Sequence, residues 1–168
     1  MGIFDTLFGK SRKGSKTAVK QAEEPSRAPL FKSVPKRPGT LSDSTVLFVD
    51  DDPDLRIYVR EELEEYAGKV LVAKDGVKAL ETLRSNEVDL VISDIMMPEM
   101  DGLTLCRSIK TDAALKSIPV ILLSARADHK TMSDGASLGA DNFVPKPFNI
   151  DDLVARMSEF FEGGRGAK

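Results

Sequence analysis

Asp94 closes an apolar run, Val88-Asp89-Leu90-Val91-Ile92-Ser93-Asp94, and is followed by Ile95-Met96-Met97-Pro98-Glu99-Met100-Asp101-Gly102. A hydrophobic strand that ends in one carboxylate, just before a Pro/Gly turn, displays that carboxylate for chemistry. Three further places put polar groups at the tip of an apolar run. They are Asp50-Asp51-Asp52 after Val46-Leu47-Phe48-Val49, Ser124 after Ile118-Pro119-Val120-Ile121-Leu122-Leu123, and Lys146 after Asn142-Phe143-Val144-Pro145. An acidic cluster, a hydroxyl, a lysine and a lone Asp are the parts of a phosphoryl-accepting metal site. Carboxylates about 4 Å apart repel by roughly 4 kcal/mol per pair at an effective dielectric of about 20. A hard divalent cation relieves that repulsion, and Mg²⁺ suits few carboxylates, open water positions and phosphate oxygens. Lys146 adds a point charge, and Ser124 can donate one hydrogen bond to a phosphoryl oxygen.

The elements that must position these groups are legible from Val46 onward, where short β-branched runs alternate with helical periods. Strands are expected near 45–49, 69–73, 88–93, 119–123 and 141–145, and helices near 53–66, 76–85, 102–110, 128–138 and 149–161. The first helix opens with Asp52 as N-cap and Pro53 at the first helical position. The second opens after Asp75 and the last after Asn149, while Asp101-Gly102 forms a turn and cap. Five β-α units joined by crossovers of this length imply an α/β fold, a five-stranded parallel sheet doubly wound with helices on both faces. Ligands of such sheets bind beyond the C-terminal ends of the strands, where all the polar tips lie.

With those residues in place, the chain resembles the receiver domain of two-component response regulators. The resemblance rests on Val49-Asp50-Asp51-Asp52-Pro53, on Asp94 through Gly102, on Ser124-Ala125-Arg126 and on Lys146-Pro147-Phe148, and it spans about residues 44–162. It implies a flavodoxin-like strand order of 2-1-3-4-5 and Asp94 as the phosphoacceptor. It also implies Asp50 and Asp51 as the acidic pair for Mg²⁺, Asp51 directly and Asp50 through water. Met96 would offer its backbone carbonyl to the metal. Ser124 matches the switch hydroxyl, Lys146 the phosphate-pairing lysine and Phe143 the switch aromatic. The expected partners are a histidine kinase and an output protein bound through the fourth helix, fifth strand and fifth helix. The protein is not expected to be an enzyme beyond its own phosphorylation and dephosphorylation.

Some positions depart from the family pattern or refine it. Phe143 lacks the hydroxyl of the tyrosine found in some relatives. Pro145 lies within a strand, which an edge position tolerates. The family often has a cis peptide where Lys146-Pro147 stands. Gly135 and Gly139 should soften the fourth helix and its exit. Met96 and Arg126 flank the expected phosphate without a carboxylate or amide to orient water, so self-dephosphorylation should be slow. A phosphatase with an aspartyl nucleophile would need a second Asp two residues after Asp94, where Met96 stands. His129 is expected on the exposed side of the fourth helix, and Cys106 on the inner face of the third.

Charge divides the chain. Residues 1–41 hold nine Lys/Arg against three Asp/Glu, a net of +6, and residues 42–168 hold fifteen against twenty-four, a net of −9. The expected organisation is a short amphipathic segment over 1–10, a basic flexible linker over 11–41 rich in Lys, Arg, Ser and Pro, and a receiver domain over 42–164. Ile3, Phe4, Leu7 and Phe8 share one helical side, which suits a membrane surface or a partner groove. The linker has no interleaved aromatics beyond Phe31, so no nucleic-acid partner is expected. The lone Cys106, the lack of a secretory leader pattern and the lack of a ~20-residue apolar run suggest a cytoplasmic location, with membrane or pole association through the first ten residues. Few residues follow the last helix, so a stand-alone receiver signalling to another protein in chemotaxis, motility or polarity control is the leading expectation. A phosphorelay intermediate or phosphate sink, or a membrane-associated scaffold with a non-signalling receiver, are the alternatives.

Overall fold

The computed structural model describes residues 38–125 and 128–163. The amphipathic segment 1–10, the linker up to residue 37 and Arg126 lie outside the described residues. The elements run β1 (Thr45–Val49), α1 (Pro53–Leu63), β2 (Lys69–Ala73), α2 (Gly76–Ser85), β3 (Leu90–Asp94), α3 (Gly102–Thr111), β4 (Val120–Ser124), α4 (His129–Ser137), β5 (Asn142–Pro145) and α5 (Ile150–Ser158). All strand pairs are parallel, in the order β2-β1-β3-β4-β5. Both the α/β class and the order match the sequence reading.

The strands alternate between two buried clusters. Val46 and Phe48 of β1, Leu90 and Ile92 of β3 and Val144 of β5 pack with Val59 and Leu63 of α1 and Leu153 and Met157 of α5. Leu47, Val49, Val91, Leu122 and Phe143 pack on the other face with Ala79 of α2, Leu105, Cys106 and Ile109 of α3, and half-buried Met132 of α4. A strand buried on both faces reads as a continuous apolar run, which is how β1, β3 and β4 announced themselves.

Side-chain caps set the helix starts. Asp52, Asp75, Asp101, Asp128 and Asn149 each stand at an N-cap in extended backbone and accept from an amide in the first turn. Three helices are shorter than expected. α4 runs one residue less at each end. α1 stops at Leu63, and α5 at Ser158, because half-buried Tyr66, buried Ala67 and buried Phe160-Phe161 continue into the core through turns. β3 starts two residues late, since Asp89 turns aside to accept from the Thr45 amide at 2.8 Å. Leu41 was assigned to the linker, yet it is fully buried in a short 3-10 turn, Leu41–Asp43, so the packed unit begins before residue 42.

Pro145 lies on the edge strand β5, and the Lys146-Pro147 peptide is cis, both as expected. Gly135 has a packing reason beyond softness, because a Cβ there would stand 3.0 Å from Leu122 Cδ1. Among the described residues, no helix is long and apolar enough to cross a membrane.

Cys106 is fully buried, and burial pushes its thiol up to about 11 from an ordinary 9.0. The unfolded chain therefore loses this proton first as pH rises, and the corresponding stability falls between the two values. Denaturant titrations over that range should show a steeper loss for the native sequence than for Cys106→Ala. At neutral pH, iodoacetamide should leave the folded protein unmodified and add one adduct in guanidinium.

Candidate functional site

The five C-terminal strand tips converge at one end of the sheet. Asp50 follows β1 directly, is only 1% exposed, and accepts from two donors: the Asp52 amide at 2.9 Å on Oδ1 and Lys146 Nζ at 2.7 Å on Oδ2. The first bond folds the β1-α1 loop back on itself and sets Asp52 to cap α1. Arg56, one turn into α1, donates from Nη1 to the Asp50 carbonyl at 2.8 Å and locks the same loop. Asp51, next in the chain, is exposed.

Asp94 ends β3 with 7% exposure. Its Oδ1 accepts from the Ile95 amide at 2.9 Å, and its Oδ2 lies 3.4 Å from Lys146 Nζ. Asp50, Asp51 and Asp94 each offer an oxygen, all within 4.8 Å of one another. Two buried carboxylates thus share one ammonium, with a third carboxylate at the rim. Electrostatics follow from that ratio. Burial pushes the Asp94 carboxyl above its usual range; Lys146 pulls it back and Asp50 raises it further. For Lys146, burial is the largest influence and lowers the value, but the hydrogen bond and charge of Asp50, with the charge of Asp94, outweigh it and hold the ammonium above its usual range.

This donor set fits a hard divalent cation. Three clustered carboxylates and one lysine leave an excess of negative charge, and the oxygen-only ligands suit Mg²⁺. Asp50, Asp51 and Asp94 would hold it.

The loop after β3 is shaped by backbone contact. The Gly102 amide donates to the Ile95 carbonyl at 2.8 Å, and any Cβ on Gly102 would run into the Asp94 carbonyl. Glu99 sits in the left-handed region with φ of 65°, which turns the loop between Pro98 and Met100. Met96 is 76% exposed beside Asp94. Ser124 ends β4 and is buried; it pairs in register with Pro145, and Phe143 pairs with Leu122. Ser124 and Phe143 therefore share one sheet face. The structure brings Asp50, Asp51, Asp94 and Lys146 together as read, and His129 is exposed at the start of α4.

Two features escaped the sequence reading. Arg56 gave no signal beyond its place four residues after Asp52. An open apolar depression of about 410 Å³, lined by Leu55, Tyr58, Ala125, Lys146, Pro147 and Phe148, adjoins the acid pocket. Its signal lay in α1, where Val59 and Leu63 form the buried stripe and Ile57 and Tyr58 fall outside it, 58% and 51% exposed.

Replacing Lys146 with Met should destabilise the metal-free protein by about 2–3 kcal/mol, because Asp50 would stay buried and unpaired. Asp94→Asn should do the opposite on a smaller scale. Asp94 binds its proton more tightly in the native state, so its contribution is present at acid pH and lost as pH rises through the native value. The stability gain of Asp94→Asn, read by thermal melts, should therefore grow from acid to neutral pH.

Known proteins resemble this chain in sequence and fold. The profile of the response regulator receiver domain matches residues 46–158. Response regulator MprA of Mycobacterium sp. (strain KMS) is 38% identical over 112 residues, 67% of this chain and 48% of that protein. The transcriptional regulatory protein CseB of Streptomyces coelicolor is 41% identical over 118 residues, 70% of this chain and 49% of that protein. The chain thus spans about half the length of the curated relatives it matches, and these regulators lend no support to the expectation that nucleic acid is absent among the partners. Among solved structures, the chemotaxis response regulator CheY4 of Vibrio cholerae matches with TM-score 0.67 and 28% identity, over 71% of this chain and 99% of that one. The response regulator TrrA of Thermotoga maritima, in complex with Mg²⁺-BeF, matches with TM-score 0.62 and 36% identity, over 70% and 99%. Receiver domains take phosphoryl groups from histidine kinases and bind Mg²⁺ through an acidic pocket, such as the cluster of Asp50, Asp51 and Asp94. The chain belongs to the response regulator receiver domain family, a signalling component of two-component systems.

Proposed function

We propose that Asp94 accepts a phosphoryl group from a histidine kinase and that the phosphorylated receiver signals through a changed surface. The observation that supports this most is the placement of Asp94 Oδ2 beside Lys146 within reach of two further carboxylates. A carboxylate oxygen of Asp94 attacks phosphorus while the phosphorus–nitrogen bond of the donor phosphohistidine breaks, and the imidazole leaves. Asp50, Asp51, Asp94 and the Met96 carbonyl would hold Mg²⁺, which when bound would neutralise charge on the phosphoryl oxygens. Lys146 exchanges its bonds with Asp50 and Asp94 for one to a phosphoryl oxygen. The apolar depression beside Lys146, with Tyr58 and Phe148, offers a dry approach for the donor.

Ser124 would donate to a phosphoryl oxygen only in the phosphorylated state and so bias the equilibrium between two conformations. Phe143 would follow on the same sheet face and remodel α4, β5 and α5, where an output protein binds. A chemotaxis, motility or polarity setting draws only on the likeness to CheY4; the regulators MprA and CseB point to control of transcription as the other output. The organisation we favour is a receiver over 42–164, with Leu41 packed into it from the chain before, preceded by a basic linker and an amphipathic segment.

Incubation with acetyl phosphate and Mg²⁺ should add one phosphoryl group by intact mass, and none to Asp94→Asn. At a hundredfold excess over its dissociation constant, Mg²⁺ should stabilise the protein by about 2.7 kcal/mol. Asp51→Asn should abolish both effects with little change in metal-free stability, since Asp51 is exposed. A native protein that takes up no phosphoryl group under any of these conditions would defeat the reading. With no acid or amide side chain at Met96 to orient water, the purified phosphoprotein should persist well beyond seconds.

A further inference from the structure

Arg56 lends no atom to the cluster of acids and lysine, yet it grips the loop that carries two of those acids. Its Nη1 donates to the Asp50 carbonyl at 2.8 Å, and its own amide donates to the Asp52 carbonyl at 3.1 Å. Asp51 stands between those two carbonyls. The peptide before Asp51 is held at its oxygen by Arg56. The peptide after it is held at its nitrogen, where the Asp52 amide donates to Asp50 Oδ1 at 2.9 Å. Asp50 Oδ2 in turn meets Lys146 Nζ at 2.7 Å. One half-buried side chain thus braces the backbone from which Asp50 and Asp51 bring their oxygens to within 4.8 Å of Asp94.

A guanidinium behind an acid pocket acts on a divalent cation in two opposite senses. Its charge repels the cation, so on that ground alone its removal would tighten binding. Its hydrogen bond holds the loop that sets the ligands, so on that ground its removal would weaken binding. Loss of a group that orients metal ligands commonly lowers affinity about 10- to 100-fold. The contacts favour the second effect. Among the described residues, Arg56 makes no ion pair with Asp50, Asp51 or Asp94, and its donor meets a backbone carbonyl instead. A hydrogen bond from a charged donor is roughly twice as strong as a neutral one. Asp51 is exposed, so surrounding packing does not replace that bond.

We propose, on the reading that Asp50, Asp51 and Asp94 take Mg²⁺, that Arg56 is a positioning residue for that site. It holds the β1-α1 loop so that Asp50 and Asp51 stand ready as ligands, and this outweighs the repulsion of its charge. The test is titration of the full chain with Mg²⁺, followed by backbone amide NMR shifts. Arg56→Met should bind Mg²⁺ about tenfold or more weakly than the native protein. Arg56→Lys, which keeps the charge and a shorter donor, should fall between them. Charge alone predicts the reverse, with Arg56→Met the tightest. A second measurement needs no metal. In chelator, hydrogen exchange at the Asp52 amide should rise about tenfold in Arg56→Met, and by more than at Ile121 and Leu122 in β4, which report any general loss of stability. Equal or tighter Mg²⁺ binding by Arg56→Met, or a rise at Asp52 no larger than that in β4, overturns the role of Arg56 and leaves the cation site standing. A native chain that takes up no Mg²⁺ overturns the cation site itself and the role of Arg56 with it.

Discussion

A single ammonium, Lys146, stands against two buried carboxylates, and the rest of the site is arranged around that imbalance. Asp50 takes the shorter contact, 2.7 Å, and Asp94 the longer, 3.4 Å. Asp50 also accepts the Asp52 amide, so it is the better satisfied of the pair. Asp94 is left with one backbone donor and a distant share of the lysine, and burial holds its carboxyl above the usual range. A site built this way favours whatever brings positive charge to Asp94 or gives Lys146 a new acceptor. A divalent cation would do the first and a phosphoryl group the second.

The alternation of the strands assigns the charged groups and the hydroxyl to different faces. Asp94 keeps the parity of Leu90 and Ile92, Asp50 that of Val46 and Phe48, and Lys146 that of Val144, all residues of the cluster beneath α1 and α5. Ser124 keeps the parity of Val120 and Leu122, which belong to the cluster beneath α2, α3 and α4. The charge is thus balanced on one face of the sheet while the neutral donor sits on the other, beside Phe143.

Sequence pattern revealed what is repeated and local, and missed what depends on contact across the fold. The run Val46–Val49, the cap at Asp52 with Pro53, and the carboxylate at the end of β3 are all local signals, and each fell at its expected place. The ends of α1 and α5 did not, because Tyr66 and Phe161 continue the helical apolar period while the backbone has already turned. Leu41 looked like linker since a single apolar residue among Pro, Gly and Ser carries no period; its burial comes from packing beside Phe161 and Leu63. Gly102 read as a helix start, whereas its decisive property is the close approach of the Asp94 carbonyl. The Lys110–Asp141 pair, at 2.7 Å and largely buried, joins α3 to the start of β5 and gave no sign across thirty residues of sequence. All these contacts are set by tertiary geometry, which overrides local preference.

Unequal anchoring of the helices decides which of them can respond. α3 buries Gly102, Leu105, Cys106 and Ile109, and its last turn is tied down by Lys110; α5 buries Ile150, Leu153, Val154 and Met157. α4 fully buries only Gly135, which brings no side chain to the core. Elements with little buried apolar surface open and shift at the lowest free energy. In the proposed switch, a hydrogen bond gained at Ser124 would bias a conformational equilibrium by only about 1–3 kcal/mol. That is too little to pull the three buried side chains of α3 or the four of α5 out of register, where a single large apolar group accounts for about 1.5–3 kcal/mol. It is comparable with what holds α4, whose contact with the opposite face is Met132 over the Leu122 and Phe143 cluster. The least anchored helix is therefore also the one packed on the face that Ser124 and Phe143 share, and the modest energy of the proposed switch would suffice only because it would be applied there.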